Sequence, residues 1–233
     1  MEDIILLGTG GHAHSVVDSI EGTGKYNIIG FLDTGEMQGK HFRDYQVLDT
    51  DDAIKKYYDK GIRNAFITIG FMGHGDIRVR LYKLLKDTGY IIPNIIDDTA
   101  VISPNAILEE GIFVGRKAVI NTGSSIGKMC IINTGAIVEH DCMVGGFSHI
   151  AVGSVLCGGV SVGTQTLIGA NATVIQNMKI GNNVIVGAGT VICKDVQDNM
   201  VRYGMMEKPQ NMGNIEVNQN EQGIYNSGGR SKP

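Results

Sequence analysis

The sequence predicts a mainly β protein in two parts: a small Rossmann-like α/β module over residues 1–95 and a solenoid of short strands over residues 96–197. Two observations indicate this division. Strands alternate with helices in the first part, and aliphatic residues recur every six positions in the second. Glycine supplies 33 of the 233 residues, about twice the ordinary share. Because there are only 4 prolines, this excess indicates tight turns in an ordered chain rather than a linker.

The first part reads as three strands separated by helices. Apolar runs predict strands at residues 4–7, 28–32 and 65–70, and amphipathic or charged segments predict helices at residues 14–20, 51–60 and 77–86. Strands that alternate with helices imply a small parallel sheet.

A glycine-rich turn follows the first predicted strand. Gly8, Gly10 and Ala13 satisfy G-x-G-x-x-A, and Asp33 lies twenty residues beyond Ala13, at the end of the second strand. Glycines let the backbone approach a pyrophosphate at a helix N-terminus, and the acid suits a ribose hydroxyl. About 95 residues supply only one of the two halves that an NAD fold needs. We therefore favour a sugar-nucleotide diphosphate over NAD, and a glycine turn that serves packing alone remains the alternative.

The second part repeats with a period of six. This period fits neither an amphipathic helix nor an alternating strand, but it fits coils with three faces of six residues each. Most positions four residues after each aliphatic are small, which suits tight interior packing, and the run contains no insertion. Every position in the register is Ile, Leu or Val: Ile96, Ile102, Leu108, Val114, Ile120, Ile126, Ile132, Val138, Val144, Ile150, Leu156, Val162, Ile168, Val174, Ile180, Val186 and Ile192.

Several segments carry a family resemblance. IGKMCI, VGGFSH, VGTQTL, IGANAT, IGNNVI and VGAGTV resemble hexapeptide repeats of acyltransferases. Together with GTGGHAHSVVD, IIPNIIDDTAVISPNA and IVEHDCMVGGFSHIAVGS, they resemble the group of sialic acid O-acetyltransferases and bacillosamine-pathway UDP-4-amino-sugar N-acetyltransferases. The resemblance implies a left-handed parallel β-helix, acetyl-CoA as cosubstrate, and a homotrimer with active sites between subunits.

The resemblance also implies the catalytic residues. His140 matches the general base, Asp141 the acid that raises its basicity, and Gly158 the backbone N–H that binds the thioester carbonyl. Successive residues of a flat strand point to opposite sides, so Asp141 can support His140 only if the chain bends there, and Glu139 is the rival. The eighteen-residue coil independently predicts that Gly158 stacks on His140, where a glycine leaves room for a thioester.

Further positions match binding residues of the same group. Gly10, Gly11, His12, Asp33 and Gly70 match positions that hold the nucleotide sugar. His149, Gly158, Ala170 and Ala188 match positions along acetyl-CoA, although corner packing explains the two alanines equally well. We predict no metal, because the coils contain only two histidines whereas a β-helix carbonic anhydrase needs three on zinc.

Composition narrows the class of protein further. The net charge of −4 gives no global attraction for nucleic acid or anionic membranes. We expect no membrane insertion, a cytoplasmic location and four reduced cysteines, since the start lacks the pattern of a signal peptide. Residues 198–233 read as a C-terminal extension that is flexible from about residue 211.

The leading hypothesis is an acetyl-CoA-dependent N-acetyltransferase that acts on a nucleotide-linked amino sugar, specifically a UDP-4-amino sugar, in surface glycan biosynthesis. A sugar or sialic acid O-acetyltransferase is the nearest alternative, because a hydroxyl needs the same base. A non-catalytic nucleotide-binding trimer is the alternative outside enzymes.

Overall fold

The structure is a computed structural model that describes residues 1–73 and 75–204. The segment from about residue 211, predicted to be flexible, lies outside these residues. Within the described chain, no helix is long and apolar enough to cross a membrane.

The N-terminal module contains a five-stranded sheet in the order β3-β4-β2-β1-β5. The strands β1, β2 and β5 pair in parallel, as the alternation of strands and helices predicts. The strand β4, which the sequence did not predict, pairs in parallel with β2, and β3 joins β4 in an antiparallel hairpin. The sequence did not predict this hairpin. The strands are β1 Glu2–Leu7, β2 Tyr26–Asp33, β3 His41–Phe42, β4 Tyr45–Thr50 and β5 Asn64–Ile67; the helices are α1 Gly11–Thr23, a 3₁₀ turn Asp51–Ala53, α2 Ile54–Asp59 and α3 Asp76–Thr88.

The second part is a left-handed parallel β-helix, as predicted. Its strands have two residues each, and the second residue of every strand from β6 to β22 is one of the periodic aliphatics. The strands are β6 Ile95–Ile96, β7 Val101–Ile102, β8 Ile107–Leu108, β9 Phe113–Val114, β10 Val119–Ile120, β11 Ser125–Ile126, β12 Ile131–Ile132, β13 Ile137–Val138, β14 Met143–Val144, β15 His149–Ile150, β16 Val155–Leu156, β17 Ser161–Val162, β18 Leu167–Ile168, β19 Thr173–Val174, β20 Lys179–Ile180, β21 Ile185–Val186, β22 Val191–Ile192 and β23 Val201–Arg202.

Three sheets form the faces of the prism. Face 1 contains β6, β9, β12, β15, β18, β21 and β23; face 2 contains β7, β10, β13, β16, β19 and β22; face 3 contains β8, β11, β14, β17 and β20. Partners in each ladder are eighteen residues apart through the regular coils, for example Ile132 and Ile150. The face 1 ladder continues through β23, so regular pairing reaches into the predicted C-terminal extension.

Turns join the faces at three corners. Corner 1–2, between faces 1 and 2, includes Val152; corner 2–3 includes His140; corner 3–1 includes Phe147. Many corner residues have positive φ, which glycine and asparagine tolerate best, and six of the glycines in the coils meet this requirement.

Two apolar cores hold the molecule together. The periodic aliphatics fill the prism interior with small residues such as Ala118, Ala136 and Ala172, which are all 0% exposed. Buried hydroxyls there are satisfied, since Ser124 and Ser148 donate to backbone carbonyls at 2.7 Å. The second core joins the module to the outward side chains of face 1, namely Ile95, Phe113, Ile131, Leu167 and Ile185. The module therefore covers face 1.

Candidate active site

A histidine and an aspartate form a pair at corner 2–3. His140 Nδ1 donates to Asp141 Oδ2 at 2.9 Å. The chain bends here because Asp141 adopts a left-handed conformation with a φ of 59°, so that neighbouring side chains reach the same side. This bend meets the geometric condition set from the sequence for Asp141 to support His140. Glu139 instead accepts from the backbone N–H of His140 at 3.2 Å.

Gly158 stacks on His140, as the eighteen-residue period predicts. The N–H of Gly159 donates to the carbonyl of His140 at 2.9 Å, which fixes the two turns one coil apart. A Cβ added to Gly158 would lie 2.5 Å from His140 Nε2, so only glycine fits beneath the ring. The backbone N–H of Gly158 has no acceptor among the described residues, and it is free to bind an oxyanion beside the ring.

The electrostatics suit His140 for proton transfer. The hydrogen bond to Asp141 and the charges of Asp141 and Glu139 raise the pKa of His140 above its ordinary value. The side chain is 58% exposed, so a substrate can reach Nε2. With Nδ1–H held by a carboxylate, Nε2 of the neutral ring is an acceptor. The pair can therefore act as a general base.

A separate pocket lies between the module and corner 1–2. Its volume is about 520 Å³. The module contributes residues from the start of α1 and from the segment after β5, and the β-helix contributes residues of face 1 and of its turns. The lining consists of Gly11, His12, Ser15, Gly70, Phe71, Met72, Asn133, Thr134, His149 and Val152.

The start of α1 can receive a phosphate. Gly10 is the N-cap residue and makes no side-chain cap, and the first turn contains no acidic residue. Apart from the adjacent residues and the helix backbone, no described atom lies within 4 Å of a Cβ added to Gly10 or Gly11, so the space beside the helix N-terminus is open. Open N–H groups at a helix N-terminus attract anions. Gly8 has a φ of 101° and abuts Ile69, which explains the glycine at the strand end.

Asp33 buttresses this loop. Its Oδ2 accepts from the Thr9 N–H at 2.7 Å and from the Thr9 hydroxyl, and its Oδ1 accepts from the Thr34 N–H at 2.6 Å. The carboxylate therefore holds the glycine-rich turn against β2. Its predicted contact with a ribose hydroxyl would use its remaining lone pairs.

The two pocket histidines differ from His140. His149 is 7% exposed, its Nδ1 donates to the Phe71 carbonyl at 2.8 Å, and its Nε2 meets Asn133 Nδ2 at 3.1 Å. Burial, and then the charge of Arg78, lowers the pKa of His149 to about 4. Burial lowers the pKa of His12 to about 3, with smaller effects from Arg78 and His149. Both rings are neutral near pH 7.

His12 packs by its edge. Its ring meets Phe113 in a T-shaped arrangement with centroids 4.9 Å apart. Its Nε2 is buried without a hydrogen-bond partner among the described residues. Gly70 lies beside His12, and a Cβ added to Gly70 would make an ordinary van der Waals contact with the His12 Cβ at 3.5 Å.

Corner 1–2 continues from the pocket along the prism. Thr134, Val152, Ala170 and Ala188 follow each other at intervals of eighteen residues, and the first two line the pocket. Ala170 is half-buried and Ala188 is exposed, so neither packs in the prism interior. An extended ligand that lies along these alanines would reach the pocket at Val152.

The structure therefore separates the predicted residues into two groups. Gly11, His12, Gly70 and His149 meet in the pocket, with Gly10 beside it and Ala170 and Ala188 on the corner that leads to it. His140, Asp141 and Gly158 lie at corner 2–3, opposite the face that the module covers. One copy of the chain does not bring the base to the pocket.

Sequence reasoning missed part of the pocket wall. Thr134 and Val152 could have been predicted from the sequence, because they lie two coils and one coil of eighteen residues before Ala170. Asn133 and Phe71 had none, because their role depends on the contact between module and prism. Within residues 1–73 and 75–204, no three of His, Cys, Asp and Glu lie close enough to hold a metal ion. The cysteines there are free thiols.

Comparisons with known proteins place this geometry in a family. Residues 3–85 match the model of the PglD N-terminal domain. A histidine-to-asparagine variant of perosamine N-acetyltransferase from Caulobacter crescentus, in complex with CoA and GDP-perosamine, is 34% identical, with a TM-score of 0.83 over 88% of this chain and 94% of that chain. The acetyltransferase domain of PglB from Neisseria gonorrhoeae FA1090, in complex with acetyl coenzyme A, is 30% identical, with a TM-score of 0.80 over 86% and 95%.

Both relatives match across almost their whole lengths, so the likeness is confined neither to the module nor to the β-helix. The chain belongs to the family of hexapeptide-repeat N-acetyltransferases that act on amino sugars.

Proposed function

We propose that this protein transfers the acetyl group of acetyl-CoA to the amino group of a nucleotide-linked amino sugar, a UDP-4-amino sugar, in surface glycan biosynthesis. The observation that carries the proposal is the His140–Asp141 pair stacked on Gly158, because it joins a raised-pKa base to an open N–H. Acetyl transfer from a thioester to an amine needs both groups.

The chemistry follows from these atoms. The amine nitrogen attacks the thioester carbonyl carbon and forms the new N–C bond, while the carbonyl oxygen gains charge that the Gly158 N–H stabilises. His140 Nε2 takes the proton that the nitrogen releases, and Asp141 stabilises the resulting imidazolium. The C–S bond then breaks, and His140 returns the proton to the sulfur of CoA. The products are the N-acetylated sugar nucleotide and free CoA.

The pocket and corner 1–2 supply the binding surfaces. The glycine-rich turn with Gly10 and Gly11 receives the diphosphate, and the sugar extends into the pocket toward His12 and His149. Acetyl-CoA lies along Ala188 and Ala170, with its acetyl end toward the pocket. His149 and Asn133 are mutually bonded there and present a fixed wall to the two ligands.

A second copy of the chain brings the base to the pocket. Face 2 lies between corner 1–2 and corner 2–3. Its outward column is aliphatic except at Thr173 and contains Val101, Val119, Ile137, Val155 and Val191, of which Val101 is 62% exposed. Packing this face around a threefold axis sets corner 2–3 of one copy against corner 1–2 of the next, and the ring closes. We therefore infer a homotrimer with three sites between subunits.

An acceptor screen tests the proposal. CoA release is measured with UDP-, GDP- and dTDP-linked 4-amino sugars and with matched hydroxyl acceptors, including sialic acid. We expect turnover with an amino sugar nucleotide and its loss, by about 10³-fold, in His140→Ala. His41→Ala, which changes an exposed histidine of the module, is the control. Turnover with hydroxyl acceptors alone would favour O-acetylation, and binding of the nucleotide without binding of acetyl-CoA in calorimetry would favour a non-catalytic trimer.

A further inference from the structure

A buried arginine lies behind the pocket, outside both groups of site residues. Arg78 on α3 is 2% exposed. Its Nη1 donates to the Ile69 carbonyl at 2.9 Å, and its Nη2 donates to the Met129 carbonyl of the β-helix at 2.5 Å. Its Nε is buried and meets no acceptor among the described residues. The guanidinium thus spans the junction of module and prism.

No acid of the described residues neutralises this guanidinium. Across residues 1–73 and 75–204, no carboxylate oxygen lies within the 4.0 Å of an ion pair with Arg78. The ionisable groups that interact with it are His12 from α1, His149 from β15 and Cys130 from the turn before β12. Burial raises the pKa of Cys130 to about 12, so the thiol stays neutral. Burial lowers the pKa of Arg78 itself only to about 10, so it stays charged near pH 7.

A buried charge without a counter-ion is unusual, because proteins normally pair such groups. The charge also acts on the pocket. Arg78 holds the carbonyl of Ile69, which directly precedes the pocket residues Gly70 and Phe71. Its field lowers the pKa of His12 and His149 on the pocket wall, in addition to the effect of burial. None of the residues that line the pocket is acidic.

We propose that the buried charge of Arg78 makes the pocket favour the neutral amine of the acceptor over its ammonium form. This inference rests on the proposed function. An amino sugar carries an ammonium group in part of its population near neutral pH, and only the neutral amine has a lone pair for attack. A fixed cation beside the site disfavours the charged form. Arg78 is then a specificity-determining residue that acts on the protonation state of the substrate.

Two substitutions separate charge from packing. Arg78→Met removes the charge and keeps much of the volume, whereas Arg78→Lys keeps the charge and loses the forked hydrogen bonds to two carbonyls. Arg80→Met is the control, since Arg80 lies on the same helix, is 57% exposed and pairs with Asp51. The pH dependence of kcat reports ionisations in the bound complex. It is measured with a UDP-4-amino sugar and with GDP-perosamine as acceptors.

In Arg78→Met we expect the low-pH side of the kcat profile, its acidic limb, to move up by about one pH unit. A unit charge about 10 Å away produces a shift of this size at an effective dielectric of about 20. The rate then falls about tenfold on the limb and recovers at high pH. Arg78→Lys and Arg80→Met should keep the wild-type limb. If kcat falls by the same factor at every pH in both Arg78 variants, Arg78 has a structural role and the inference is overturned.

A direct measurement removes the contribution of the base. The acceptor is labelled with ¹⁵N at its reacting amine and bound without acetyl-CoA, and its ¹⁵N shift is followed against pH. The pKa of the bound amine should rise in Arg78→Met and not in Arg78→Lys; an unchanged value in Arg78→Met contradicts the inference. If no acceptor is turned over by the wild type, the proposed function fails, and NMR titration of His12 and His149 tests the field alone. Unchanged imidazole pKa values in Arg78→Met then overturn the inference.

Discussion

The corner that carries His140 and the pocket that carries His12 and His149 treat the same side chain in opposite ways. At the corner the ring is exposed, a carboxylate holds Nδ1–H, and the pKa is raised. In the pocket the rings are buried, the described lining residues include no acid, and the pKa values of His12 and His149 fall to about 3 and about 4. The comparison teaches that one histidine is equipped to exchange a proton near neutral pH, while the other two are fixed neutral groups.

The separation of these regions gives the largest expected effect. His140→Ala removes the base at corner 2–3, and Gly11→Trp fills the pocket without a clash at its Cβ. Each variant alone should lose about 10³-fold in kcat/KM. If the sites form between copies, trimers mixed at random from the two variants regain about a quarter of the sites, because half of the corners and half of the pockets are intact.

Co-refolded mixtures of the two variants, assayed for CoA release against each variant alone, check this prediction. A mixture that stays as inactive as its components would place the corner and the pocket of one site in the same copy.

The next largest effect on activity is expected where Gly158 stacks on His140. In Gly158→Ala the added methyl displaces the imidazole, since its Cβ would lie 2.5 Å from Nε2. We expect kcat to fall about 10²-fold, the cost of a misplacement of about 1 Å, with a nearly unchanged Tm. Gly22→Ala on the exposed side of α1, where nothing lies within 4 Å, controls for the substitution itself. Full activity in Gly158→Ala would remove Gly158 from the site.

The choice between Asp141 and Glu139 is open to a smaller test. Because Asp141 raises the pKa of His140, Asp141→Asn should lower that pKa, move the acidic limb of kcat to lower pH and reduce the plateau about tenfold. Glu139→Gln changes a side chain whose one hydrogen bond among the described residues is with the backbone N–H of His140, and it should shift the limb less. The opposite ranking in pH–rate profiles would assign the supporting role to Glu139.

Because two histidines are buried as neutral rings, we expect the free energy of unfolding to fall at acidic pH, by about 1 kcal/mol for each histidine. His12 and His149 have folded pKa values below the unfolded value of about 6.5. Their contribution is therefore complete above about pH 6.5 and is lost as the pH falls toward about 4. Between about pH 7 and pH 5.5 the free energy of unfolding should drop by about 1 kcal/mol for each ring.

Urea unfolding at a series of pH values measures the slope of the free energy of unfolding against pH. His149→Gln should flatten it, whereas His41→Gln, which changes an exposed ring, should leave it as in the wild type. An equal slope in all three proteins would mean that His149 titrates alike in the folded and unfolded states.

The regular parts of the fold were predictable because each depends on neighbours at fixed spacing. The aliphatic from Ile96 onward points inward in every strand to Ile192, as the period of six requires, and Gly158 stacks on His140 as the period of eighteen requires. The hairpin at Phe42 and Tyr45 was missed for two reasons. Its strand β3 has two residues, which is too short for any periodicity, and β4 buries only Val47, so it shows no alternation of buried apolar residues.

The site was predictable only in part. His140 and His12 lie in recognisable motifs, but Asn133 and Arg78 acquire their roles through contacts between the two parts of the chain. Arg78 sits in a helix of mixed charge, and nothing in its local sequence distinguishes it from the exposed Arg80. Which of two arginines faces inward depends on the docking of α3 against the prism, and this docking has no periodic signature.

The two periods of the coils have different consequences for changes in chain length. Removing six residues between Gly158 and Ile192 would keep every later aliphatic in the interior, so the core would be preserved. It would nevertheless turn all later corners by one face, and Ala188 would leave the edge that leads to the pocket. Only changes of eighteen residues would keep both the core and the alignment of that edge. The fold should therefore accept insertions or deletions in multiples of six residues, whereas the proposed acetyl-CoA surface should accept them only in multiples of eighteen.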